Sequence, residues 1–456
     1  MKLRGRAVAL LAGAAMTIAT GLVLVPSVRA AVVSESSAVL VVCTSPAWAE
    51  GTSYAVGSRV TYNGRLYEAM VAHTAYPGAG WNPAATPSLW RDLGACDGGS
   101  TPSPTPSGSP TPSPSPSPSG SPTPSPTPSP SGPSTGTCAV KSKPAGKVLQ
   151  GYWENWDGAA NGVHPPLGWI PITDSRIRTH GYNVINAAFP VIRSDGTVLW
   201  EDGMDATVKV ATPAEMCQAK AAGATILMSI GGAAAGIDLS SATVANRFVA
   251  TVVPILKKYN FDGIDIDIET GLVGSGNINQ PSTSQANLIR IIDGVLAQMP
   301  SNFGLTMAPE TAYVTGGSVT YGSIWGAYLP IVKKYADNGR LWWLNMQYYN
   351  GSMYGCAGDS YSAGTVQGFT AQTNCLNKGL VVQGATIRVP YDKQVPGLPA
   401  QPGAGGGYMS PSLVAQCWNA IGGGLKGLMT WSINWDGSKG WTFGDNVRAL
   451  QGTLLR

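Results

Sequence analysis

The stretch Phe261-Asp262-Gly263-Ile264-Asp265-Ile266-Asp267-Ile268-Glu269 alternates isoleucines with acidic residues. A period of two is typical of a β-strand, whose successive side chains point to opposite faces. Asp265, Asp267 and Glu269 therefore share one face, spaced about 6–7 Å apart, since a strand rises roughly 3.3 Å per residue. Three carboxylates in a row repel one another and resist burial, so we expect coupled pKa values and a shared proton. No fold needs such a row for stability, and it indicates a functional site.

Three interpretations of this row are open from the stretch alone. The first is a solvated strand face on a sheet with one wet side. The second is a carboxylate site for Mg²⁺ or Ca²⁺. The third is acid–base chemistry at a glycosidic bond. The apolar flanking segments favour a sheet covered on both faces, and the rest of the chain favours the third interpretation.

The composition bounds the class of protein. A chain of 456 residues accommodates one large domain and something smaller. Only 12% of the residues are charged, while 58 are Gly and 35 are Pro, so part of the chain is not globular. The net charge of +4, without a long basic run, does not favour nucleic acid as a partner. Fourteen Trp beside six Phe is unusual, and flat exposed indoles suit sugar rings.

Residues 1–30 have the pattern of a secretory signal peptide. Basic residues precede an apolar run over 8–25, and Val28-Arg29-Ala30 supplies small residues for cleavage. A retained membrane anchor is the alternative, which the cleavage-like site disfavours. We therefore expect a secreted, extracellular protein that does not stay in the membrane and in which disulfides persist.

Residues 31–97 are predicted to form a small β-rich module. Cys43 and Cys96 bracket it, and a disulfide between them would compensate for a small core. Asn63-Gly64 lies between two strand-like runs and predicts a hairpin turn. From 98 to 136 the chain is Ser, Thr, Pro and Gly, which predicts an extended, semi-rigid linker. A tethered binding module raises the local concentration of a surface-bound partner.

Residues 137–456 suit one large α/β barrel. Eight apolar strand-like segments alternate with helix-like stretches, which indicates a parallel sheet, and eight repeats predict closure into a (β/α)8 TIM barrel. A doubly wound open sheet is the alternative, but no glycine fingerprint follows the first strand. The segments are 147–155, 183–191, 225–232, 261–269, 303–310, 342–350, 386–391 and 427–435.

The barrel domain contains five cysteines, so at least one is free or pairs elsewhere. Cys356 and Cys375 bracket one loop and are the best pair. Cys217 and Cys417 lie in apolar helical stretches and are expected to be core residues rather than nucleophiles.

In such barrels the chemistry gathers at the carboxyl ends of the strands. Most of the side chains there are aromatic or polar and surround a carboxylate pair, which is the makeup of a sugar subsite. They are Tyr152, Trp153, Phe189, Ser229, Asp267, Glu269, Met307, Glu310, Gln347, Tyr349, Asn350 and Trp431.

These motifs resemble glycoside hydrolase family 18, the chitinases. The run from Asp262 to Glu269 matches the family's DxxDxDxE signature, and Ser229-Ile230-Gly231-Gly232 matches its SxGG motif. The similarity spans the barrel domain. Where the family's sixth-strand motif ends in Tyr-Asp, this chain has Tyr349-Asn350, a variant similar to plant-type and some bacterial members.

Glu269 lies nearest the mouth and is placed to protonate the glycosidic oxygen as general acid, which requires a raised pKa. In ordinary retaining glycosidases the partner carboxylate attacks the sugar, and spacing alone leaves that role open for Asp267. Resemblance to family 18 implies instead that the substrate's 2-acetamido oxygen is the nucleophile, with retention of configuration. Asp267 then holds the acetamido N–H, Asp265 buffers its charge, Tyr349 binds the acetamido group and Trp431 floors the subsite.

The remaining strand-end residues are expected to bind substrate. They are Gln347, Asn350, Met307, Tyr152, Ser229 and Glu310. No cofactor or metal is expected, and the protein is expected to be a monomer.

The N-terminal module resembles the chitin- and cellulose-binding modules of carbohydrate-binding families 5 and 12. The resembling residues are Ala47-Trp48, Tyr54, Gly57, Val60, Tyr62-Asn63-Gly64, Leu66-Tyr67, Ala72-His73-Thr74 and Leu89-Trp90. Many members carry an exposed Trp after the second strand, where this chain has Val71. We therefore expect Tyr67, Tyr76 and Trp81 to supply the chitin-binding surface.

The segment from Tyr391 to Gly427 has no room for the extra α+β insertion of deep-tunnel relatives, which predicts an open cleft and internal cleavage of chitin. A catalytically weak chitin-binding lectin and an endo-β-N-acetylglucosaminidase acting on glycoprotein glycans are the competing functions. Lectin relatives usually lose the acid, and Glu269 is present here.

Overall fold

A computed structural model describes residues 41–50, 52–70, 73–75, 82–84, 89–97, 136–156, 164, 166–205, 208–233 and 236–452. The predicted signal peptide, the linker tract from 98 to 135, and Tyr76 and Trp81 of the binding module lie outside these residues. The chain divides into a small and a large compact unit.

The small unit contains a three-stranded antiparallel sheet formed by Arg59–Tyr62, Arg65–Ala69 and Trp90–Ala95. Asn63 and Gly64 have φ of 48° and 71°, the left-handed pair that a tight hairpin turn requires, so the predicted hairpin is confirmed. The predicted disulfide between Cys43 and Cys96 is also present. A separate pair of short strands, Ser53–Tyr54 and His73–Thr74, is antiparallel.

Tyr67 does not fit its predicted role in sugar stacking. Its side chain is buried, together with Val60, Leu66 and Trp90. An apolar ring in a small unit contributes most by filling the core, and here that use prevails over display on a surface.

The large unit is the predicted barrel. Eight parallel strands neighbour one another in the order β6-β5-β4-β3-β2-β1-β8-β7, and bridges from Leu344 to Gln394 and from Gln347 to Gly397 join the two ends of this order. The strands are β1 Val148–Glu154, β2 Val184–Ala188, β3 Thr225–Gly231, β4 Gly263–Asp267, β5 Gly304–Met307, β6 Trp343–Leu344, β7 Gly397–Pro399 and β8 Gly427–Trp431. The open-sheet alternative is therefore wrong.

The seventh strand was predicted in the wrong place. Thr386 lies in an antiparallel hairpin of Leu380–Val382 with Ala385–Ile387, whereas β7 comes later and has only three residues. Pro396 lies directly before β7, and Pro399 is its last residue. The sequence of this segment therefore predicts a loop, because proline has no N–H for a strand ladder. The β-branched residues at 386–389 supplied the stronger, misleading strand signal.

Helices surround the sheet, and most begin at a Ser or Thr cap. Thr212 with Glu215 and Ser282 with Gln285 form capping boxes, which satisfy the first free N–H groups of α2 and α4 below. The helices are α1 Ser175–Thr179, α2 Pro213–Ala221, α3 Ala242–Lys258, α4 Thr283–Leu296, α5 Leu329–Asp337, α6 Val366–Lys378, α7 Pro411–Ala420, α8 Ile433–Ser438 and α9 Thr442–Leu450. Short hairpins join Val191–Ile192 to Val198–Leu199 and Ser352–Tyr354 to Ser360–Ser362.

The barrel strands are covered on both sides. Ile264, Ile266 and Met307 pack in the core cluster that contains the helix residues, while Tyr152 and Trp343 pack in a second cluster. Every residue of β4 is buried. The solvated-face interpretation of the carboxylate row is therefore wrong.

Two disulfides stabilise the large unit. The predicted bond between Cys356 and Cys375 is confirmed, and it ties the loop after β6 to α6. Cys217 was predicted to be a core thiol, but it bonds to Cys138 ahead of β1. The sequence around each cysteine does not indicate a disulfide between α2 and the segment that precedes β1. Among the described residues, the buried Cys417 alone is free.

Candidate active site

The carboxylate row lies at the carboxyl end of β4. Asp265 and Asp267 belong to the strand and are 0% and 4% exposed, while Glu269 follows two residues after the strand ends. The predicted alternation is thus correct through Asp267, and Glu269 stands on the loop at the mouth of the barrel.

Asp265 is held by four hydrogen-bond donors. Its Oδ1 accepts from Thr306 Oγ1 (2.6 Å) and Asn345 Nδ2 (3.0 Å), and its Oδ2 accepts from Tyr152 Oη (2.8 Å) and Ser229 Oγ (2.9 Å). Burial raises the pKa of the Asp265 carboxyl, and these four bonds oppose the rise. Since its lone pairs are occupied, Asp265 is a poor metal ligand.

Gln347 connects the other two carboxylates. Its Nε2 lies 2.9 Å from Asp267 Oδ1, 2.9 Å from Glu269 Oε1 and 3.0 Å from the Ala308 carbonyl oxygen. Gln347 follows β6, so the closed barrel brings it beside β4 although the two are far apart in sequence. One amide therefore fixes the relative position of both acids.

The electrostatics of this pair favour a retained proton. The pKa of Asp267 is raised well above its ordinary value, first by burial and then by the charges of Glu269 and Asp265. Burial also raises the pKa of Glu269, while hydrogen bonds with Gln347 and Asp267 oppose the rise. The expectation of coupled acids holds, although burial is a larger cause than the neighbouring charges. The pair can thus keep a proton at a pH where an ordinary carboxyl is ionised.

A cleft of about 730 Å³ opens above these acids. Asp267, Glu269, Gln347, Tyr349 and Trp431 line it. The remaining lining residues with side chains of interest are Glu154, Asn155, Trp156, His164, Phe189, Ile192, Asp205, Val208, Asn350 and Trp435. The cleft therefore joins two acids, an amide and several aromatic rings on one surface, as the sequence predicts for a sugar subsite.

The aromatic wall is a stack of rings. Trp431 lies 6.0 Å from Phe189 and 5.9 Å from Trp156, with interplanar angles of 16° and 25°. Tyr152 lies 5.4 Å from Trp431 at a tilt of 54°. Near-parallel indoles present flat apolar faces, which suit the faces of sugar rings.

The structure brings most of the predicted site residues together, but some of them lie beneath the cleft and do not line it. Tyr349 and Asn350 line the cleft, and Asn350 Oδ1 accepts a 2.7 Å hydrogen bond from Gly406 N, which fixes a loop of the wall. Tyr152 and Ser229 are absent from the cleft lining and contact Asp265 beneath it.

Met307 is not placed to bind substrate. Its side chain packs in the core cluster of the helix layer, while the preceding Thr306 faces Asp265. The strand alternation explains the difference, because neighbouring residues point to opposite faces.

Glu310 lies among the acids but does not line the cleft. Burial, and next the charge of Glu269, raise its pKa to about 7. A third carboxyl near neutral pKa was not foreseen from the sequence.

Sequence reasoning also missed one wall of the cleft. Glu154, Trp156, His164 and Trp435 all line it. Glu154 and Trp156 flank the end of β1, so their position at a strand end was available as a signal. His164 and Trp435 lie on loop and helix, where the strand-end rule gives no guidance.

Among the residues that the structure describes, no cluster of His, Cys, Asp or Glu is suited to hold a metal ion. Within the same residues, no helix has the length and apolar character needed to cross a bilayer.

Comparison with known families places both units. Residues 47–91 match carbohydrate-binding module family 5/12, and residues 148–337 match glycosyl hydrolases family 18. Both matches agree with the motifs in the sequence.

Relatives of high identity match about two thirds of the chain. Endochitinase 4 of Metarhizium robertsii is 83% identical over 312 residues, which are 68% of this chain and 90% of that protein. Endochitinase 37 of Trichoderma harzianum is 82% identical over 310 residues, or 68% of this chain and 92% of that protein. The crystal structure of a Family GH18 chitinase from Chromobacterium violaceum matches with a TM-score of 0.57 and 29% identity, over 90% of this chain and 100% of that chain. With a carbohydrate-binding module ahead of a barrel that carries the DxxDxDxE signature, the chain belongs to glycosyl hydrolases family 18.

Proposed function

We propose that this protein is a secreted endochitinase, which hydrolyses β-1,4 linkages between N-acetylglucosamine units of chitin. The observation that carries the proposal is the shared contact of Gln347 with Asp267 and Glu269, on the floor of a cleft walled by Trp431. Two paired acids beside an aromatic wall provide both a proton donor and a sugar platform.

Glu269 acts as the general acid in this mechanism. It stands at the mouth of the barrel, lines the cleft, and its raised pKa favours the protonated form that the leaving oxygen requires. Donating that proton leaves a carboxylate, which can then activate water for the second step.

Asp267 serves the acetamido group of the sugar. In the substrate-assisted route, the acetamido oxygen attacks the anomeric carbon, and a carboxylate that accepts the acetamido N–H stabilises the oxazolinium ion. Asp267 lines the cleft beside Glu269 and is backed by the buried Asp265. The acetamido oxygen attacks the anomeric carbon from the face opposite the leaving oxygen. Water then opens the oxazolinium ion from the face that the leaving oxygen vacated, so the two inversions retain the configuration.

Two further side chains orient the sugar. In this proposal Tyr349, which lines the cleft, hydrogen-bonds the acetamido group, while Trp431 of the aromatic wall supports the sugar ring. Gln347 keeps the two acids in register. Ser229 and Tyr152 support the reaction from below through Asp265.

Internal cleavage follows from the shape of the cleft. Residues 400–410 form a loop, and α7 is the single helix between β7 and β8. This fully described segment contains no added sheet that would roof the cleft into a tunnel. A chitin chain can therefore lie across the cleft with both ends outside it.

The N-terminal module supports action on an insoluble polymer. Its resemblance to families 5 and 12 favours chitin as the bound material, and the tract from 98 to 136 would keep the barrel close to it. The three disulfides of the described residues suit an oxidising, extracellular location.

The test is release of soluble sugar from colloidal chitin by the intact protein and by Glu269→Gln. Loss of a general acid is expected to lower the rate about 10²–10⁴-fold. Asp337→Asn is the matched control, because it makes the same carboxylate-to-amide change at an exposed ion pair of α5.

Three outcomes separate the candidate functions. Oligosaccharides from the intact protein and their loss in Glu269→Gln support the endochitinase. Binding of chitin by both proteins without release supports a lectin. Release from glycoprotein glycans alone supports an endo-β-N-acetylglucosaminidase.

A further inference from the structure

Glu154 anchors a buried polar cluster on the wall of the cleft, and the proposed mechanism does not use it. It is the last residue of β1, 1% exposed, and its carboxylate lies between two hydrogen-bonding partners. His164 Nε2 is 2.6 Å from Oε2, and Ser432 Oγ donates to Oε1. The Glu154 amide N–H also donates to Asn434 Oδ1 at 3.0 Å.

Both partners of this carboxylate adjoin a tryptophan of the cleft. Ser432 directly follows Trp431, and its Oγ accepts a 3.1 Å hydrogen bond from the Trp435 amide N–H. The His164 ring lies 4.3 Å from the Trp435 ring, centroid to centroid. One carboxylate thus constrains the segment from Trp431 to Trp435 at its beginning and, through His164, at its end.

Burying a carboxylate is costly unless hydrogen bonds to its charge offset the loss of water. A wall that needed only apolar packing could be built without this cost, for example with Leu at 154. The carboxylate instead fixes the orientation of its neighbours, because each of its oxygens accepts a hydrogen bond from one specific donor. The orientation of two indoles is the property that such directional bonds can fix.

We propose that Glu154 is a positioning residue that holds Trp431 and Trp435 as one sugar-binding wall, through Ser432 and His164. This inference rests on the proposed function, since it assigns the wall to the same substrate. The acids that carry the chemistry, Asp267 and Glu269, have no contact with this cluster among their hydrogen bonds in the described residues. The cluster therefore acts on substrate affinity rather than on proton transfer.

Glu154→Gln tests this role, because it keeps the shape but replaces one acceptor oxygen with a donor. The expected result is a KM about ten-fold higher for a soluble N-acetylglucosamine oligosaccharide, with kcat within about two-fold, as for loss of uniform binding. A purely structural role predicts the opposite split, since fewer folded molecules lower the apparent kcat and leave KM unchanged. That split would overturn the proposal.

Two further variants keep the test decisive. Ser432→Ala should also raise KM. The KM of the double variant should not exceed that of Glu154→Gln, because each substitution removes the same hydrogen bond between Ser432 and Glu154. Additive increases in KM would contradict the proposal that Glu154 acts through Ser432. His164→Gln retains a donor for Glu154 and should lie closer to wild type than His164→Ala.

Circular dichroism reports whether each variant folds, and Asp337→Asn is again the reference for a carboxylate-to-amide change. If Glu154→Gln does not fold, the KM of Ser432→Ala decides, and an unchanged KM there refutes the proposal. Wild-type protein that does not cleave the oligosaccharide would count against the proposed function instead.

Discussion

Gln347 Nε2 lies 2.9 Å from Oε1 of Glu269, and it makes an equal contact with the neighbouring Asp267. An amide donor favours the charged form of each acid, so it lowers both pKa values against the effect of burial. Gln347 thereby determines both the spacing of the pair and the pH range in which it holds its proton.

Gln347→Ala is expected to lower kcat about 10²-fold, as for the loss of one fixed donor in an active site. Its pH profile carries a further signature. Without the donor, both pKa values rise, so the basic limb of kcat/KM moves to higher pH. Gln367→Ala, on the exposed side of α6, is the control and should match wild type in rate and profile. A basic limb that stays in place or moves to lower pH would contradict this role.

Tyr152→Phe removes one of the four donors to the buried Asp265. We expect a loss of about 1.5–3 kcal/mol in the free energy of unfolding, the usual range for a hydrogen bond to a charged group. Urea unfolding measures it. Tyr361→Phe makes the same chemical change at an exposed hydrogen bond to Asp359 and should leave stability close to wild type. Equal effects of the two substitutions would show that burial of the Asp265 site contributes nothing.

The alternating stretch predicted the most, because its chemistry is local. A period of two placed Asp265 and Asp267 on the inner face of one strand, and the strand-end rule placed Trp431 and Tyr349 in the same cleft. The same rule gave a wrong prediction for Met307, since a position at a strand end does not determine which face of the sheet the side chain occupies.

The remaining differences come from contacts between distant segments. The three-residue β7 is formed by pairing with β8, and its prolines conceal it in the sequence. The partner of Cys217 and the contact of Ser432 with Glu154 likewise depend on how the chain closes. No periodicity or propensity within a short window encodes such pairs.

Replacement of both Cys356 and Cys375 by Ala should destabilise the protein. Their disulfide closes a loop with a sequence separation of 19, for which chain-entropy reasoning gives about 3 kcal/mol. The measurement is the urea midpoint of the double variant against wild type. The bond holds the segment after Asn350 to α6, so activity on soluble substrate should fall less than stability. An unchanged midpoint would show that the loop is held by its other contacts.

Glu310→Gln tests how a third carboxyl sets the pH range of the pair. The folded pKa of Glu310 is raised to about 7 by burial and by Glu269, so it is neutral in acid and gains its charge near neutral pH. That charge raises the pKa of Asp267 and helps the pair to keep its proton. An uncharged Gln removes this help, so the basic limb of kcat/KM should move to lower pH, by up to about one unit.

The sign of that shift separates Glu310 from Gln347. Loss of the amide donor at position 347 moves the basic limb to higher pH, whereas loss of the charge at position 310 moves it to lower pH. The acidic limb should change little in Glu310→Gln, because Glu310 is already protonated at acidic pH. Profiles of kcat/KM on one soluble oligosaccharide, recorded for wild type and both variants, measure the two shifts. A limb that stays in place or moves upward in Glu310→Gln would contradict the role assigned to the charge of Glu310.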